Sequence, residues 1–291
     1  MKFGIMIPHF GPAARPGMVQ TVAREAEALG LDSIWAGDHI MVPATERYIT
    51  SYLYEAITVM ATAAAVTERI TVGVSVLVIP YRDPIIAAKM LATLDQMSGG
   101  RIVLGAGVGW MEKEFSALGR NVHQRGALTD EFLDVMHTLW TTDPSSFEGR
   151  WTHFEEMRFR PKPAQDPFPV WIGGGSEAAI RRAATRGTGW QPGDPGLEEF
   201  RAAVERYREA CDAAGRPRGT VCLRTTLDGG RSPAEGGRPR FTGTPQQVAE
   251  DVDAYAEAGM DHIMFAPAIR TLDEQREYMR LLADVGRLVK S

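Results

Sequence analysis

Apolar residues with strand-like and helix-like spacing alternate along the whole chain. Eight short β-rich runs predict strands: "KFGIMIP", "SIWA", "ITVGVSVLVI", "RIVLGAG", "PVWIGG", "TGWQP", "TVCLRTTL" and "HIMFAP". Between them, segments such as "MVQTVAREAEALG" carry apolar residues every three or four positions and predict amphipathic helices. End signals support these boundaries, since Pro84 begins a helix that stops at Gly99 and Gly100, and Thr244 caps another.

Nearly continuous apolar strands that alternate with amphipathic helices indicate a parallel sheet covered by helices. Eight such units in 291 residues predict an α/β fold, a (β/α)8 TIM barrel, with an open doubly wound sheet as the alternative. Residues 142–168 interrupt the alternation with prolines, aromatics and charges, so we expect an inserted segment there, which a hairpin would suit. No linker or internal repeat divides the chain, which predicts a single domain over residues 1–291.

Composition narrows the classes of function. The net charge is −5, with 32 Lys and Arg against 37 Asp and Glu, so nucleic acid is not expected as a partner. No apolar run approaches the roughly 18 residues of a membrane span, and the apolar start is short for a signal peptide, which predicts a cytoplasmic protein without membrane contact. Cys211 and Cys222 and the scattered histidines show no metal-ligand spacing, so no metal site is predicted.

Asp38 and His39 stand side by side where the second predicted strand ends, which is the end of a TIM barrel that carries the chemistry. The two residues are candidates for an acid–base pair or a proton relay, because a carboxylate tunes a nearby imidazole. The alternative is a helix cap beside a hydrogen-bonded histidine. Glu112 and Glu114 lie two positions apart on a helical turn and do not face each other, so a glycosidase carboxylate pair is not expected.

Two glycine-rich turns follow predicted strands. In "VWIGGGSEAAIRRAA" a strand leads through three glycines into a helix, which indicates a phosphate site or, alternatively, a tight turn in which Glu177 satisfies the helix dipole. In "LGAGVGWMEKEF" the bulky Trp110 suits a flat ligand or plugs the barrel mouth. Residues 228–243 are predicted to be a loop. Its arginines and their neighbours either hold an anionic tail of a ligand or are solvated: Arg216, Arg218, Arg224, Arg231, Arg238 and Arg240.

Five segments in order carry a resemblance to a known family: "DSIWAGDHI", "ITVGVSVLVIPYRDPIIAAKMLATLDQMSGGRIVLGAGVGWMEKEF", "RGALTDEFLDVMHTLWT", "FEGRWTHFE" and "PVWIGGGSEAAIRRAATRGTGWQP". Together they resemble the luciferase-like monooxygenase superfamily, and within it the oxidoreductases that use the deazaflavin coenzyme F420. The resemblance runs from "FGIMIP" to "HIMFAP" and implies a TIM barrel with its insertion at residues 142–168.

The resemblance also implies roles for individual residues. Asp38 becomes a cofactor contact, and Asp38, His39 and Trp110 become the catalytic candidates. Ser75 and Val76 match a bulge with a non-proline cis peptide behind the central ring of the cofactor. The other cofactor-binding residues are expected to be Leu77, Gly107, Val108, Gly109, Trp110, Gly173, Gly174, Gly175 and Ser176. One departure is that Trp110 stands where related sugar-phosphate dehydrogenases have an acidic glutamate, which argues against their substrate here.

The leading hypothesis is an F420-dependent oxidoreductase that transfers a hydride between the cofactor and a small organic substrate. His39 would exchange a proton with the substrate or stabilise the charge that develops. Asp38 would orient His39 or touch the cofactor, and Trp110 would wall the pocket. The alternatives are a reduced-FMN monooxygenase and a non-catalytic deazaflavin-binding protein, while a metal-dependent hydrolase is disfavoured by the missing ligand cluster. The resemblance further implies a homodimer.

Overall fold

The structure, a computed structural model, describes residues 1–46, 50, 52–226, 238–267 and 270–289 of the chain. The strands are β1 (Lys2–Met6), β2 (Ser33–Ala36), β3 (Thr71–Val78), β4 (Ile102–Gly107), β5 (Ser145–Glu148), β6 (His153–Met157), β7 (Val170–Gly173), β8 (Gly189–Gln191), β9 (Thr220–Thr225) and β10 (His262–Phe265). All except β5 and β6 form a closed parallel barrel in the order β1-β10-β9-β8-β7-β4-β3-β2. This confirms the predicted α/β barrel and excludes the open doubly wound sheet.

The helices are α1 (Met18–Ala28), α2 (Ala56–Ala64), α3 (Pro84–Ser98), α4 (Glu112–Ala117), α5 (Arg125–Thr141), α6 (Glu177–Arg186), α7 (Leu197–Ala213), α8 (Pro245–Glu257) and α9 (Leu272–Leu288). Local sequence sets their ends as predicted. Asp83 accepts from the first amides of α3, which ends at left-handed Gly99, and Thr244 caps α8. Among the described residues, no helix is long and apolar enough to cross a membrane.

The barrel is packed with side chains at its amino-terminal end. Trp35 and Trp171 lie in the interior with their ring centroids 5.3 Å apart, together with Met6, Cys222 and Met264. A larger apolar core fills the layer between the strands and the surrounding helices. Because the amino-terminal part of the barrel interior is filled, the barrel has its cavity toward the carboxyl ends of the strands.

The predicted insertion forms an antiparallel hairpin of β5 and β6 between α5 and β7. The carboxylate of Glu131, on α5, accepts hydrogen bonds from the backbone amides of Arg150, Trp151 and Thr152 at 2.7–2.8 Å and so anchors the turn of the hairpin. The hairpin is therefore an addition to the helical layer, and its strands are not part of the barrel.

Candidate active site

A cavity of about 830 Å³ opens at the carboxyl ends of the barrel strands. Its walls come from the ends of all eight barrel strands and the loops that follow them. Most of the predicted site residues line it: Asp38, His39, Ser75, Val76, Gly107, Val108, Gly109, Trp110, Gly173 and Gly174. Three others lie outside the lining. Leu77 is buried in the large apolar core, and Gly175 and Ser176 lie at the exposed beginning of α6.

His39 is held by a buried carboxylate. Its Nδ1 lies 2.8 Å from Oε2 of Glu114, whose side chain has no exposed surface. Because a carboxylate only accepts, Nδ1 carries the proton of this bond, and Nε2 is left as the second ring nitrogen. Nε2 has no hydrogen-bond partner within the part of the chain that the structure describes. His39 lines the cavity, and Nε2 is its ring nitrogen that is not bonded to Glu114.

Glu114 is itself held by three other groups. Its Oε1 accepts from the backbone amides of Ile40 and Met41 at 2.6 and 3.1 Å, and its Oε2 accepts from the hydroxyl of Tyr81 at 2.9 Å. Burial and the neighbouring Glu114 raise the pKa of Tyr81, so this hydroxyl stays protonated as a donor. The carboxylate thus fixes both the imidazole and the loop that follows β2.

Replacing Glu114 with glutamine should make the free energy of unfolding depend less on pH in the acid range. Burial raises the pKa of Glu114, but the bonds from His39, Ile40, Met41 and Tyr81 outweigh it, and the net pKa lies below its usual 4.5. A carboxyl with a lowered folded pKa stabilises the fold above its unfolded pKa, and this contribution is lost as the pH falls through the folded value. We expect Glu114→Gln to cost about 1–3 kcal/mol at neutral pH and less below pH 4.5. Urea unfolding across this pH range tests it, and parallel stability curves for the two proteins would contradict it.

Asp38 does not orient His39, because its carboxylate has other partners. Arg82 donates to both oxygens of Asp38, at 2.7 and 2.8 Å, and the amide of Val78 donates at 2.9 Å. Arg82 also reaches Glu55, the residue that caps α2, at 2.6 Å. No helix begins at Asp38, so the helix-cap alternative is wrong as well. Asp38 lines the cavity. Its carboxylate also links the loop after β2 to the end of β3 through Val78, and to α2 through Arg82 and Glu55.

Trp110 lies at the rim of the cavity. Its side chain is 59% exposed, and its ring meets that of His39 edge to face, with centroids 6.1 Å apart and planes at 84°. Trp110 therefore does not fill the barrel interior, where Trp35 and Trp171 lie. Its role as a wall beside a flat ligand stays a prediction.

Val76 forms a platform in the cavity. The predicted cis peptide is present between Ser75 and Val76, where the pairing of β3 with β4 slips by a bulge. The two methyl groups of Val76 lie against Gly107 and Gly173, where an added Cβ would clash with them, at 2.6 Å in the case of Gly173. The glycines that end β4 and β7 are therefore needed so that Val76 can occupy this position.

The glycine-rich turn after β7 leads directly into α6. Gly174 has φ +117°, and its amide donates to the carbonyl of Gln191, which continues the pairing of β7 with β8. Ser176 caps α6 by accepting from Ala179, and Glu177 pairs with Arg206. Residues 174–178 are exposed at the positive end of the helix dipole, where anions commonly bind. A phosphate site here remains a prediction.

Three polar side chains form the floor of the cavity: His9, Gln191 and Arg224. His9 donates from Nδ1 to the carbonyl of Ile7 at 2.8 Å and accepts at Nε2 from the amide of Gly37 at 3.0 Å. Burial lowers the pKa of His9, so its neutral ring joins the ends of β1 and β2.

The six arginines predicted to bind an anionic tail or to be solvated lie in different surroundings. Arg224 lies on β9 and lines the cavity. Residues 228–237 of the predicted loop, Arg231 among them, lie outside the described residues. The other four contact groups of the same chain. Arg216 donates to the carbonyl of Gly187, whereas Arg218, Arg238 and Arg240 form ion pairs with Asp212, Asp251 and Asp194, respectively.

Sequence reasoning missed three side chains that build this site: Glu114, Tyr81 and Arg82. Glu114 was noticed only as half of an unsuitable carboxylate pair. The apolar residue Phe115 next to Glu114 is a weak sequence signal that this side of α4 packs inward, and Phe115 is indeed buried. No local pattern distinguishes Glu114 from the exposed Glu112, or links either residue to a histidine 75 positions away.

Comparisons with known proteins agree with this geometry. The model of the luciferase-like monooxygenase family matches residues 1–227. The FMNH2-dependent dimethylsulfone monooxygenase of Pseudomonas putida is 34% identical over 175 residues, 59% of this chain and 48% of that protein. The F420-dependent glucose-6-phosphate dehydrogenase of Amycolatopsis mediterranei is 31% identical over 185 residues, 62% of this chain and 53% of that protein. The matched part of this chain thus spans about half the length of each of these relatives.

Among solved structures, monooxygenase RslO1 from Streptomyces bottropensis shares the fold, with a TM-score of 0.81 and 23% identity over 98% of both chains. The family model covers most of the chain, and the barrel, bulge and cavity fit it. The protein therefore belongs to the luciferase-like monooxygenase family. The predicted membership of this family is confirmed.

Proposed function

We propose that the protein is an F420-dependent oxidoreductase, which transfers a hydride between the deazaflavin and a small organic substrate. The observation that carries the proposal is the imidazole of His39, which lines the cavity and is fixed through Nδ1 by the buried Glu114, so that Nε2 is the nitrogen left for the substrate. Hydride transfer to or from a carbon–oxygen bond needs a proton transferred at the oxygen, and a positioned imidazole supplies it. The F420-dependent relative at 31% identity supports this choice of cofactor.

The residues of the cavity fit a deazaflavin. Val76, packed on Gly107 and Gly173, offers an apolar platform for a flat ring, and Val108 and Gly109 line the same side. The exposed amides at the beginning of α6 suit the phosphate of the cofactor. When bound, F420 supplies the carbon that accepts or gives up the hydride.

The side chains around the expected position of the ring would transfer the proton, exclude water and position His39. His39 exchanges a proton with the substrate oxygen through Nε2, and the charge of Glu114 stabilises the imidazolium that forms when His39 accepts a proton. Trp110 covers the rim and helps to exclude water. Asp38, paired with Arg82, holds the backbone that carries His39.

Replacing Gly107 with alanine should weaken cofactor binding. The new Cβ would fall on a methyl group of Val76 and push the platform into the space for the ring. Overpacking of this kind costs about 1–3 kcal/mol, so we expect the dissociation constant of F420 to rise roughly 5- to 100-fold. Fluorescence titration with F420 measures it. Gly196→Ala is the matched control, because a Cβ there meets nothing within 4 Å, and equal affinities of the two variants would contradict the platform.

A reduced-FMN monooxygenase is the second candidate, and the dimethylsulfone monooxygenase at 34% identity favours it. The two functions differ in chemistry, because reduced flavin reacts with oxygen whereas a deazaflavin serves as a hydride carrier. Titration of the purified protein with F420 and with FMN separates them. We expect binding of F420 at clearly lower concentration than FMN. Tight binding of FMN without binding of F420 would instead establish the second candidate.

We propose that the protein acts on a small molecule as a cytoplasmic homodimer that binds neither nucleic acid nor membranes. The dimer and the compartment follow from the family resemblance, and the net charge of −5 supports the absence of nucleic acid. Light scattering after size-exclusion chromatography tests the dimer, since a homodimer must show twice the chain mass of 31.9 kDa.

A further inference from the structure

The guanidinium of Arg224 lines the floor of the cavity, and to the described residues it makes a single hydrogen bond. Arg224 lies on β9, half-buried, and donates from Nη1 to the carbonyl of Ser75 at 2.7 Å. No carboxylate lies within 4 Å of it among the described residues. Asp194 attracts it electrostatically, but the Asp194 carboxylate pairs with Arg240 at 2.6 Å. An arginine carries five donors, so this cation is left with donors to spare beside the cavity.

Gln191, beside Arg224 on the floor, is also incompletely bonded. It is 3% exposed and lines the same cavity. Its Oε1 accepts from the hydroxyl of Ser75 at 3.0 Å, while its Nε2 has no partner within the described part of the chain. Both side chains thus bond to the same residue, Ser75, and both keep unused N–H groups. Buried donors without acceptors are unfavourable, and buried cations are normally paired.

The cavity also has an apolar part. Met6, Ile7, Phe10, Leu53 and Val78 line it, beside the polar Thr50, Tyr81 and Arg270. A cavity with apolar walls and a cationic floor suits a ligand with an apolar body and one anionic end. A planar carboxylate matches the guanidinium fork best.

We propose that Arg224 and Gln191 form an anion subsite, and that the substrate is a small apolar molecule with a carboxylate. This inference rests on the proposed oxidoreductase function and adds the class of substrate. The anion would bind Arg224 through charge-assisted hydrogen bonds and Gln191 through its amide. The opposite part of the substrate would then extend toward the cofactor and His39.

Calorimetry with straight-chain carboxylates from acetate to octanoate, and with the neutral amide of each, tests the subsite. We expect the carboxylates to bind the wild-type protein with higher affinity than the amides of equal length. Arg224→Met should weaken carboxylate binding roughly 10- to 100-fold and leave amide binding unchanged. Gln191→Met, which keeps the bond from Arg224 to Ser75, should weaken carboxylate binding by a smaller factor.

Two controls separate this inference from the proposed function and from loss of structure. Thermal unfolding and the affinity for F420 are measured on each variant, and both should stay close to wild type. Failure of the wild-type protein to bind F420, with carboxylate binding still dependent on Arg224, would overturn the proposed function and keep the subsite. Equal affinity for carboxylates and amides, or no binding by either series, would overturn the subsite. Loss of F420 binding in Arg224→Met without competition by carboxylates would assign these donors to the cofactor and overturn it too.

Discussion

Replacing His39 with glutamine lowers turnover by roughly 100- to 10,000-fold, the usual contribution of a positioned acid–base group. Glutamine can still donate a hydrogen bond to Glu114, but its amide cannot exchange a proton with the substrate. The loss therefore falls on kcat, while the affinity for F420 stays close to wild type. Steady-state kinetics with F420 and a reactive substrate, together with a cofactor titration, measure both quantities.

His137→Gln is the matched control, because His137 is exposed on α5, away from the cavity lining. It should leave turnover and cofactor affinity unchanged. A His39→Gln enzyme with wild-type kcat would remove the proton-transfer role. Bound F420 with no turnover in either the wild-type protein or the variant, over a broad panel of carbonyl and alcohol substrates, would favour the non-catalytic deazaflavin-binding protein.

Replacing Arg82 with methionine destabilises the fold by about 3–5 kcal/mol, the effect of breaking a buried ion pair from one side. The side chain of Arg82 is 14% exposed and that of Asp38 not at all, so the change leaves a buried carboxylate without its cation. Burial lowers the pKa of Arg82, but the bonds with Asp38 and Glu55 outweigh it, so the net pKa is raised. Urea unfolding at neutral pH measures the loss.

Arg218→Met provides the surface comparison. Arg218 pairs with Asp212 at 2.6 Å, but both side chains are more than half exposed, and solvent screens such pairs. We expect no measurable change in stability from this substitution. If Arg82→Met also left stability unchanged, the carboxylate of Asp38 would not depend on Arg82. The proposal that this pair holds the loop of His39 would then be wrong.

The barrel was predictable because its signals are local and repeated. Each strand is a short apolar run, each helix has its own periodicity, and Asp83 with Pro84 or Thr244 sets a helix end by contacts within a few residues. The place of the site was predictable for the same reason, since strand ends are visible in the sequence and a barrel brings them together. Trp110 and His39 came to one rim in this way.

The partners within the site were not predictable, because they are set by packing between distant segments. Asp38 and His39 are neighbours in sequence, yet one pairs with Arg82 and the other with Glu114. Arg224 was grouped with five other arginines as holding an anionic tail of a ligand or being solvated, and no local signal showed that its position on β9 directs it to Ser75, 149 residues away. Leu77 follows the bulge residues in sequence, but it packs in the apolar core and does not line the cavity. Alternation along a strand decides which of two neighbours faces the interior, and a bulge shifts that alternation.

A crystal structure of the protein with F420 and a substrate analogue tests the central claim most directly. The account predicts the deazaflavin ring on Val76, its phosphate at the beginning of α6, and the reacting carbon of the substrate within about 3–3.5 Å of the ring. The substrate oxygen should lie within about 3 Å of Nε2 of His39, with Nδ1 still bound to Glu114. A ring bound elsewhere in the cavity, or Nε2 directed away from the bound substrate, would contradict the account.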